Sequence, residues 1–220
     1  MMRIKKARAP WGFKKAIHDP GMAWLKQNPN KRPDDKFWLK IMLPGGPTCR
    51  DALFVAYHGI CAYSLAVITN DSYQVDHFHP ESLFRNEAYD WANYRLAASA
   101  YNQRKNARTD LQDPFSVPIN ACTLRLSTGE ISYDKSIAGW ELCKKTVEAL
   151  GLNKGNVRET RKKVYHRYGH NTCHSKELVE NLTEDYPFVA YEMLRKGEIE
   201  SKYRQPCIDK LHALGFVWVR

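Results

Sequence analysis

The feature that most constrains this chain is a spaced set of polar residues within positions 75–105. An adjacent acid and imidazole, Asp76 and His77, are followed by Asn93 and then by Asn102. Hydrolysis of a phosphodiester needs a base that activates water and a cation that neutralises charge on the phosphate. The imidazole of His77 titrates close to working pH, and the oxygen atoms of Asp76 and Asn102 suit a hard cation such as Mg²⁺ or Mn²⁺. The set therefore predicts a site for metal-assisted phosphodiester cleavage.

The two neighbours Asp76 and His77 are expected on a strand, because residues 73–78 have strand composition. Successive side chains of a strand point to opposite faces. We therefore expect Asp76 to hold the metal, while His77 addresses the attacking water from the other side of the scissile phosphate.

The surrounding sequence predicts a hairpin, a loop and a helix. We expect a first apolar strand, a turn, the returning strand, a loop and a helix at residues 60–68, 69–72, 73–78, 80–89 and 91–105. Before them, the Thr48 and Asp51 side chains have the spacing of a capping box, which predicts a helix through about Tyr57.

The rest of the chain predicts a second, smaller hairpin followed by helices. Short strands are expected on either side of a turn, and helices after them, at residues 122–126, 130–133, 137–150, 155–168, 175–182, 186–196 and 206–213. We therefore expect an α+β protein in three parts: an N-terminal helical segment at 1–55, a core at 56–116, and a hairpin with C-terminal helices at 117–220.

Composition limits the class of protein and its partners. The 220 residues are 43% hydrophobic, which supports a packed core, and the net charge of +10 suits a polyanionic partner, although a merely soluble basic surface explains it equally. The six cysteines are dispersed, which indicates free thiols in a reducing compartment. We find neither a signal peptide nor an apolar run long enough to cross a membrane, and we expect a cytoplasmic protein.

The spacing of the polar set resembles the HNH endonuclease motif, a ββα-metal finger, in its His-Asn-Asn form. The resemblance implies that His77 is the general base, that Asp76 and Asn102 are ligands of one Mg²⁺ or Mn²⁺ ion, and that Asn93 fixes the loop and orients the base. It also places a phosphate contact at Lys105, with Arg104 beside it.

Further cations are candidates for a nucleic-acid surface. Arg95 lies between Asn93 and Asn102, and basic residues crowd a predicted helix at Arg158, Arg161 and Lys162. A solvated helix face explains this second group as well as a surface that tracks phosphates does.

The sequence contains two other groups of potential metal ligands. Many HNH proteins bind a structural zinc through two Cys-x-x-Cys knuckles, but residues 61–64 and 98–101 supply only Cys61, so we expect no structural zinc. The second group, at His166, His170, Cys173 and His174, is more simply explained as a polar helix end.

Residues 56–116 further resemble the HNH nucleases associated with retrons and with Septu systems. The resemblance rests on residues 61–64, 76–78, 89–96 and 113–115. It implies cleavage of phage or plasmid DNA in anti-phage defence, beside an ATPase partner encoded nearby. Two alternatives stay open: an HNH fold that binds nucleic acid or bridges a partner without cutting, and a nuclease that acts on RNA or tRNA.

Overall fold

A computed structural model describes residues 2–69, 72–169 and 175–218 of the chain. The chain divides into two units that each hold their own core. One consists of Lys6–Cys61 and Ile68–Thr109 and is called here the cleft unit. The other consists of Met1–Lys5, Ala62–Val67 and Asp110–Arg220 and is called the hairpin unit. Most of the N-terminal segment therefore belongs to the same unit as residues 68–109.

The cleft unit combines short helices with a two-stranded antiparallel sheet. A π-helical turn at Lys14–His18 leads into the first helix, and single 3₁₀ turns at Arg85–Glu87 and Trp91–Asn93 lie between the strands. The helices and strands, in chain order, are α1 (Asp19–Gln27), α2 (Lys36–Leu39), α3 (Cys49–Ala56), β1 (Tyr73–His77), β2 (Tyr94–Ala98) and α4 (Ser99–Lys105).

The strand pairing corrects two of the sequence-based expectations. The partner of β1 is β2, with Tyr73 opposite Ala98 and His77 opposite Tyr94, so residues 60–68 do not form the first strand of the hairpin. The expected helix over residues 91–105 begins only at Ser99. Most of β2 is buried, Arg95 included, so the strand lacks the alternation of apolar and polar residues that identifies a half-exposed strand.

Two local features of the cleft unit explain how its helices are placed. The predicted capping box is confirmed: Oγ1 of Thr48 accepts from the backbone N–H of Asp51, whose carboxylate accepts in return from the N–H of Thr48. Gly21 in α1 lies directly against the ring of Tyr89, and a Cβ there would come within 2.5 Å of that ring. The absence of a side chain at Gly21 therefore allows α1 to pack on Tyr89.

The hairpin unit contains the second hairpin and five helices in its described part. They are β3 (Cys122–Arg125), β4 (Glu130–Tyr133), α5 (Trp140–Leu150), α6 (Gly155–Gly169), α7 (Lys176–Asp185), α8 (Pro187–Arg195) and α9 (Ser201–Ala213). The hairpin and the helices of this region were predicted from the sequence, although α9 begins five residues earlier than expected. Helices and two small antiparallel sheets together give the chain an α+β architecture.

Backbone contacts hold the β3–β4 turn against α6. Gly129 has φ of +68°, and a Cβ there would come within 2.2 Å of the carbonyl oxygen of Arg158. The side chain of Asn153 pairs with the backbone of Ile131, accepting at 2.7 Å and donating at 2.8 Å.

Among the described residues, no helix is both long enough and apolar enough to span a bilayer.

Candidate active site

A cleft of about 570 Å³ lies beside the end of β1 in the cleft unit. Its walls come from β1, from α4, from the loop after β1, and from α2 with the segment that precedes it. The polar residues on these walls include Asp76, His77, Asn102 and Lys105. The sequence-predicted base and both predicted metal ligands therefore border one cavity.

Lys105 fixes the Asp76–His77 pair from the adjacent helix. Its Nζ atom lies 3.0 Å from Oδ1 of Asp76 and donates to the backbone carbonyl of His77 at 2.6 Å. The Lys105 and Asp76 side chains are only 1% and 2% exposed. A buried ammonium with these partners does not form part of an outer surface, so the expected phosphate contact at Lys105 is replaced by a positioning role.

His77 is buried and held in one tautomer. Its Nε2 atom lies 2.8 Å from the carbonyl oxygen of Ala88, and because a carbonyl only accepts, Nε2 carries the proton. The neutral ring then has Nδ1 as its proton acceptor. Burial lowers the pKa of His77, against the opposing effects of Glu81 and the Ala88 carbonyl, so the ring is neutral at neutral pH. A neutral imidazole with a fixed tautomer is suited to accept a proton.

Aromatic rings restrict the orientation of the His77 imidazole. The rings of Trp38 and Tyr94 meet it edge to face, with centroids at 4.7 and 5.0 Å. Tyr94 also donates from its hydroxyl to the Ala88 carbonyl that accepts from His77. Trp38 belongs to α2, so the N-terminal segment forms part of the wall around the candidate base.

Asn93 ties together the two ends of the loop that follows β1. Its Oδ1 accepts from the N–H of His79 at 2.7 Å, and its Nδ2 donates to the carbonyls of His79 and Glu87 at 2.9 and 3.2 Å. Glu87 directly precedes Ala88, whose carbonyl orients His77. This buried amide therefore has the contacts expected of a residue that fixes the loop, and it acts on His77 through the backbone.

Asn102 and Lys105, both on α4, contact two side chains on the same face of β1. Nδ2 of Asn102 donates to Oε1 of Gln74 at 2.8 Å, one helical turn before the contact of Lys105 with Asp76. Gln74 and Asp76 are two positions apart on the strand and share a face. The atom that Asn102 can offer to a cation is its carbonyl oxygen, because the lone pair of an amide nitrogen is delocalised and does not bind metal.

The donor chemistry at this face fits a hard divalent cation. Asp76 supplies a carboxylate and Asn102 an amide oxygen, and oxygen donors completed by water are typical of Mg²⁺ and Mn²⁺ sites. Asp76 shares its Oδ1 with Lys105, so one of the two ligands is already held in place. We therefore take Asp76 and Asn102 as the residues that would hold the ion.

The other cations expected to contact nucleic acid have different environments. Arg95 is 3% exposed and donates to the carbonyls of Ala92 and Tyr94, so it supports the loop from inside the unit. Arg104 is exposed, with its guanidinium over the ring of Tyr101. Of the two, only Arg104 remains a candidate for a surface contact.

The basic cluster on α6 belongs to the hairpin unit. Arg161 is 4% exposed, and its guanidinium donates to the carbonyls of Gly129 and Leu152, so its expected contact with nucleic acid is replaced by a role in holding the hairpin. Arg158 is partly exposed and donates to the carbonyl of Thr128. Lys162 is partly exposed and lies beside Gly129.

The other potential metal ligands in the sequence are Cys61 and the histidine-rich group at residues 166–174. The backbone N–H of Ala98 lies 3.4 Å from Sγ of Cys61, so one position from each segment compared with a zinc knuckle contacts the other within the cleft unit. Of the second group of potential ligands, His170, Cys173 and His174 lie outside the described residues.

Sequence reasoning missed three residues that border the cleft: Arg32, Trp38 and Glu81. Arg32 and Trp38 are far from the polar set in sequence and reach it only through tertiary packing. Glu81 lies four residues after His77, directly after Pro80, and is buried. The only signal in the sequence was an acid four residues after the candidate base. No motif requires an acid at that spacing.

No significant match to this chain was found among the models of known protein families, the curated proteins or the solved structures.

Proposed function

We propose that this chain is a metal-dependent HNH endonuclease that hydrolyses phosphodiester bonds of DNA, with β1, β2 and α4 as its ββα finger. The observation that carries the proposal is the meeting of His77, Asp76 and Asn102 at one cleft. The imidazole of His77 is neutral and oriented, and the two possible metal ligands share a helix–strand face beside it. The positions of Asn93 and of residues 61 and 98 also support an HNH finger.

In the proposed reaction, His77 acts as the base, and Asp76 and Asn102 would hold the ion. Nδ1 of His77 takes a proton from water, the water oxygen bonds to phosphorus, and the bond from phosphorus to the leaving oxygen breaks. The proton charge on the imidazolium is stabilised by the Ala88 carbonyl, which holds Nε2–H at 2.8 Å. When bound at Asp76 and Asn102, a divalent ion would neutralise charge on the phosphate and on the leaving oxygen.

Asn93 and Lys105 act on the reaction through the backbone. Asn93 keeps the loop closed so that Ala88 meets His77, and Lys105 holds Asp76 and the His77 carbonyl together. Neither side chain needs to touch the substrate in this account. Their function is preorganisation, since a misplacement of about 1 Å can cost a hundredfold in rate.

DNA is the proposed substrate because the chain carries a net charge of +10 and because the motif resembles DNA-cutting enzymes. Supercoiled plasmid, linear duplex and tRNA, each with Mg²⁺, Mn²⁺ or EDTA, distinguish the possibilities. Metal-dependent nicking or linearisation of plasmid supports the proposal. Cleavage of tRNA alone would favour the RNA alternative, and binding without cleavage of any substrate would favour a non-cutting module.

The anti-phage context and the ATPase partner extend this proposal and rest on the resemblance alone. A nuclease without sequence selectivity would damage its own host, so we propose that a partner restrains it. Co-purification with the products of neighbouring genes tests this point. A chain that purifies alone, and whose cutting no neighbour alters, would remove the partner and leave the nuclease proposal intact.

A further inference from the structure

An exposed guanidinium is held at the edge of the cleft by a buried carboxylate. Nε of Arg32 donates to Oε1 of Glu81 at 2.7 Å, and Nη2 of Arg32 contacts the same oxygen. The Arg32 side chain is 80% exposed, whereas that of Glu81 is only 11% exposed. Both residues line the cleft that Asp76 and His77 also line. The cation of Arg32 is thus accessible to a ligand, whereas the carboxylate of Glu81 that holds it is largely removed from water.

Glu81 depends on Arg32 for the compensation of its charge. Its second oxygen, Oε2, is buried and has no hydrogen-bond partner within the described part of the chain. An exposed ion pair contributes little to stability, but a buried carboxylate is costly unless it is paired. Arg32 is therefore fixed by a group that has no other partner there, unlike an ordinary surface arginine.

The backbone on both sides of Arg32 is also anchored. The guanidinium of Arg85 donates to the carbonyls of Asn28, Pro29 and Lys31. On the other side, the N–H of Asp34 donates to the hydroxyl of Tyr89 at 2.8 Å. The guanidinium of Arg32 is consequently preorganised, which reduces the entropy lost when it binds a ligand.

The charges around the cleft define the ligand that Arg32 suits. Four acids, Asp34, Asp35, Asp76 and Glu81, line the cavity and oppose an incoming polyanion. Lys105 also lines it, but its ammonium is engaged by Asp76 and by the His77 carbonyl. Arg32 retains Nη1 for a further acceptor, and the planar guanidinium matches two oxygens of a phosphate.

We propose that Arg32, oriented by Glu81, binds a backbone phosphate of the DNA strand that enters this cleft. This inference rests on the proposed function, because it assigns the substrate contact of the same site. Arg32 lies outside the polar set, and its role is binding, whereas Glu81 is a positioning residue that acts through Arg32.

The test measures DNA binding in EDTA, where cleavage is stopped, with the full chain and a fluorescent 20-base-pair duplex. Four variants are compared with the parent: Arg32→Lys, Glu81→Gln, the double variant Arg32→Ala/Glu81→Gln, and Lys14→Ala. The double variant removes Arg32 without leaving a buried carboxylate unpaired. Lys14 is the matched control, because it is 78% exposed, is paired with Asp19 and does not line the cleft.

The double variant should bind about tenfold more weakly than Glu81→Gln alone, and its slope of log K against log salt should be smaller by about 0.9. Arg32→Lys should keep the slope of the parent and lose a few-fold in affinity, because the charge remains and the planar fork is lost. Lys14→Ala should bind within about twofold of the parent.

The Glu81→Gln variant distinguishes two possible effects of Glu81 on DNA binding: orientation of Arg32, and repulsion of DNA by its negative charge. If Glu81 orients Arg32, this variant should bind DNA a few-fold more weakly than the parent, although it removes an acid from the cleft. Tighter binding by Glu81→Gln would overturn the positioning role. Equal affinity and equal salt slope for Glu81→Gln and the double variant, or no binding of duplex by the parent, would overturn the role of Arg32.

Parallel cleavage assays keep this inference distinct from the proposed function. Metal-dependent cleavage with no effect of Arg32 on binding would overturn only the phosphate contact. Binding that depends on Arg32, with no cleavage under any metal condition, would overturn only the nuclease activity.

Discussion

The ammonium of Lys105 lies 3.0 Å from the carboxylate of Asp76, and both side chains are almost fully buried. The contact joins the end of α4 to the end of β1 and also fixes the carbonyl of His77. A buried ion pair is not in itself a source of net stability, because removing two charges from water offsets their attraction. Its value here is that it sets the position of the Asp76–His77 pair.

Removing Lys105 should therefore destabilise the protein strongly. Lys105→Met leaves the Asp76 carboxylate buried without this cation, and we expect a loss of about 3–5 kcal/mol in the free energy of unfolding, measured by urea denaturation. The double variant Asp76→Asn/Lys105→Met should recover much of this loss, because it removes the buried carboxylate together with this cation. A Lys105→Met protein within about 1 kcal/mol of the parent would contradict the role of the pair.

Asn93 should be required for the loop more than for the chemistry. Asn93→Ala removes three hydrogen bonds to the backbone of His79 and Glu87, and we expect a loss of about 1–3 kcal/mol in unfolding free energy together with reduced cleavage. Asn86→Ala, an exposed amide in the same loop, is the control and should behave like the parent. Full stability and full cleavage in Asn93→Ala would exclude a loop-fixing role.

Metal binding can be tested separately from cleavage. Asn102→Ala should weaken Mn²⁺ binding, followed by calorimetry or electron paramagnetic resonance, by at least about tenfold, because an oxygen ligand is lost. Gln103→Ala, the next residue on α4 and an exposed amide, should retain the affinity of the parent. If the two variants bind Mn²⁺ equally well, Asn102 is not a ligand.

Asp51 should make stability depend on pH in acid. Hydrogen bonds from Thr48, and then from Tyr73, lower the pKa of Asp51 below its usual 3.8. The ionised carboxylate thus stabilises the folded state above pH 3.8, and this contribution is lost as the pH falls through the lowered pKa. Asp51→Asn should cost about 1 kcal/mol at pH 7. Urea denaturation at several pH values should show the difference from the parent shrinking below pH 3.8; a constant difference would contradict this.

The sequence predicted the local features of this chain better than the pairing of its strands. The capping box at Thr48, the second hairpin and the helices after it follow from short-range patterns, and all are present. The predicted partner of β1, residues 60–68, was wrong. The true partner β2 is buried along most of its length and lacks the alternation of a half-exposed strand. Long-range pairing decided the structure there.

The candidate site shows the same division between local pattern and tertiary packing. The motif spacing singled out Asp76, His77 and Asn102, and these three residues border one cleft. It could not predict that Lys105 is buried against Asp76, or that Arg32 and Trp38 reach the cleft from the N-terminal segment. Those contacts depend on how distant segments pack, which no spacing rule describes.

The most direct test of the account is cleavage of supercoiled plasmid by the parent and by His77→Ala, each with Mg²⁺, Mn²⁺ or EDTA. Circular dichroism and urea denaturation establish that the variant is folded. We predict that the parent cuts only with a divalent ion, and that folded His77→Ala cuts about 10²–10⁴-fold more slowly. Cleavage by folded His77→Ala at the rate of the parent, or cleavage by the parent in EDTA, would contradict the assignment of this cleft as a metal-dependent nuclease site.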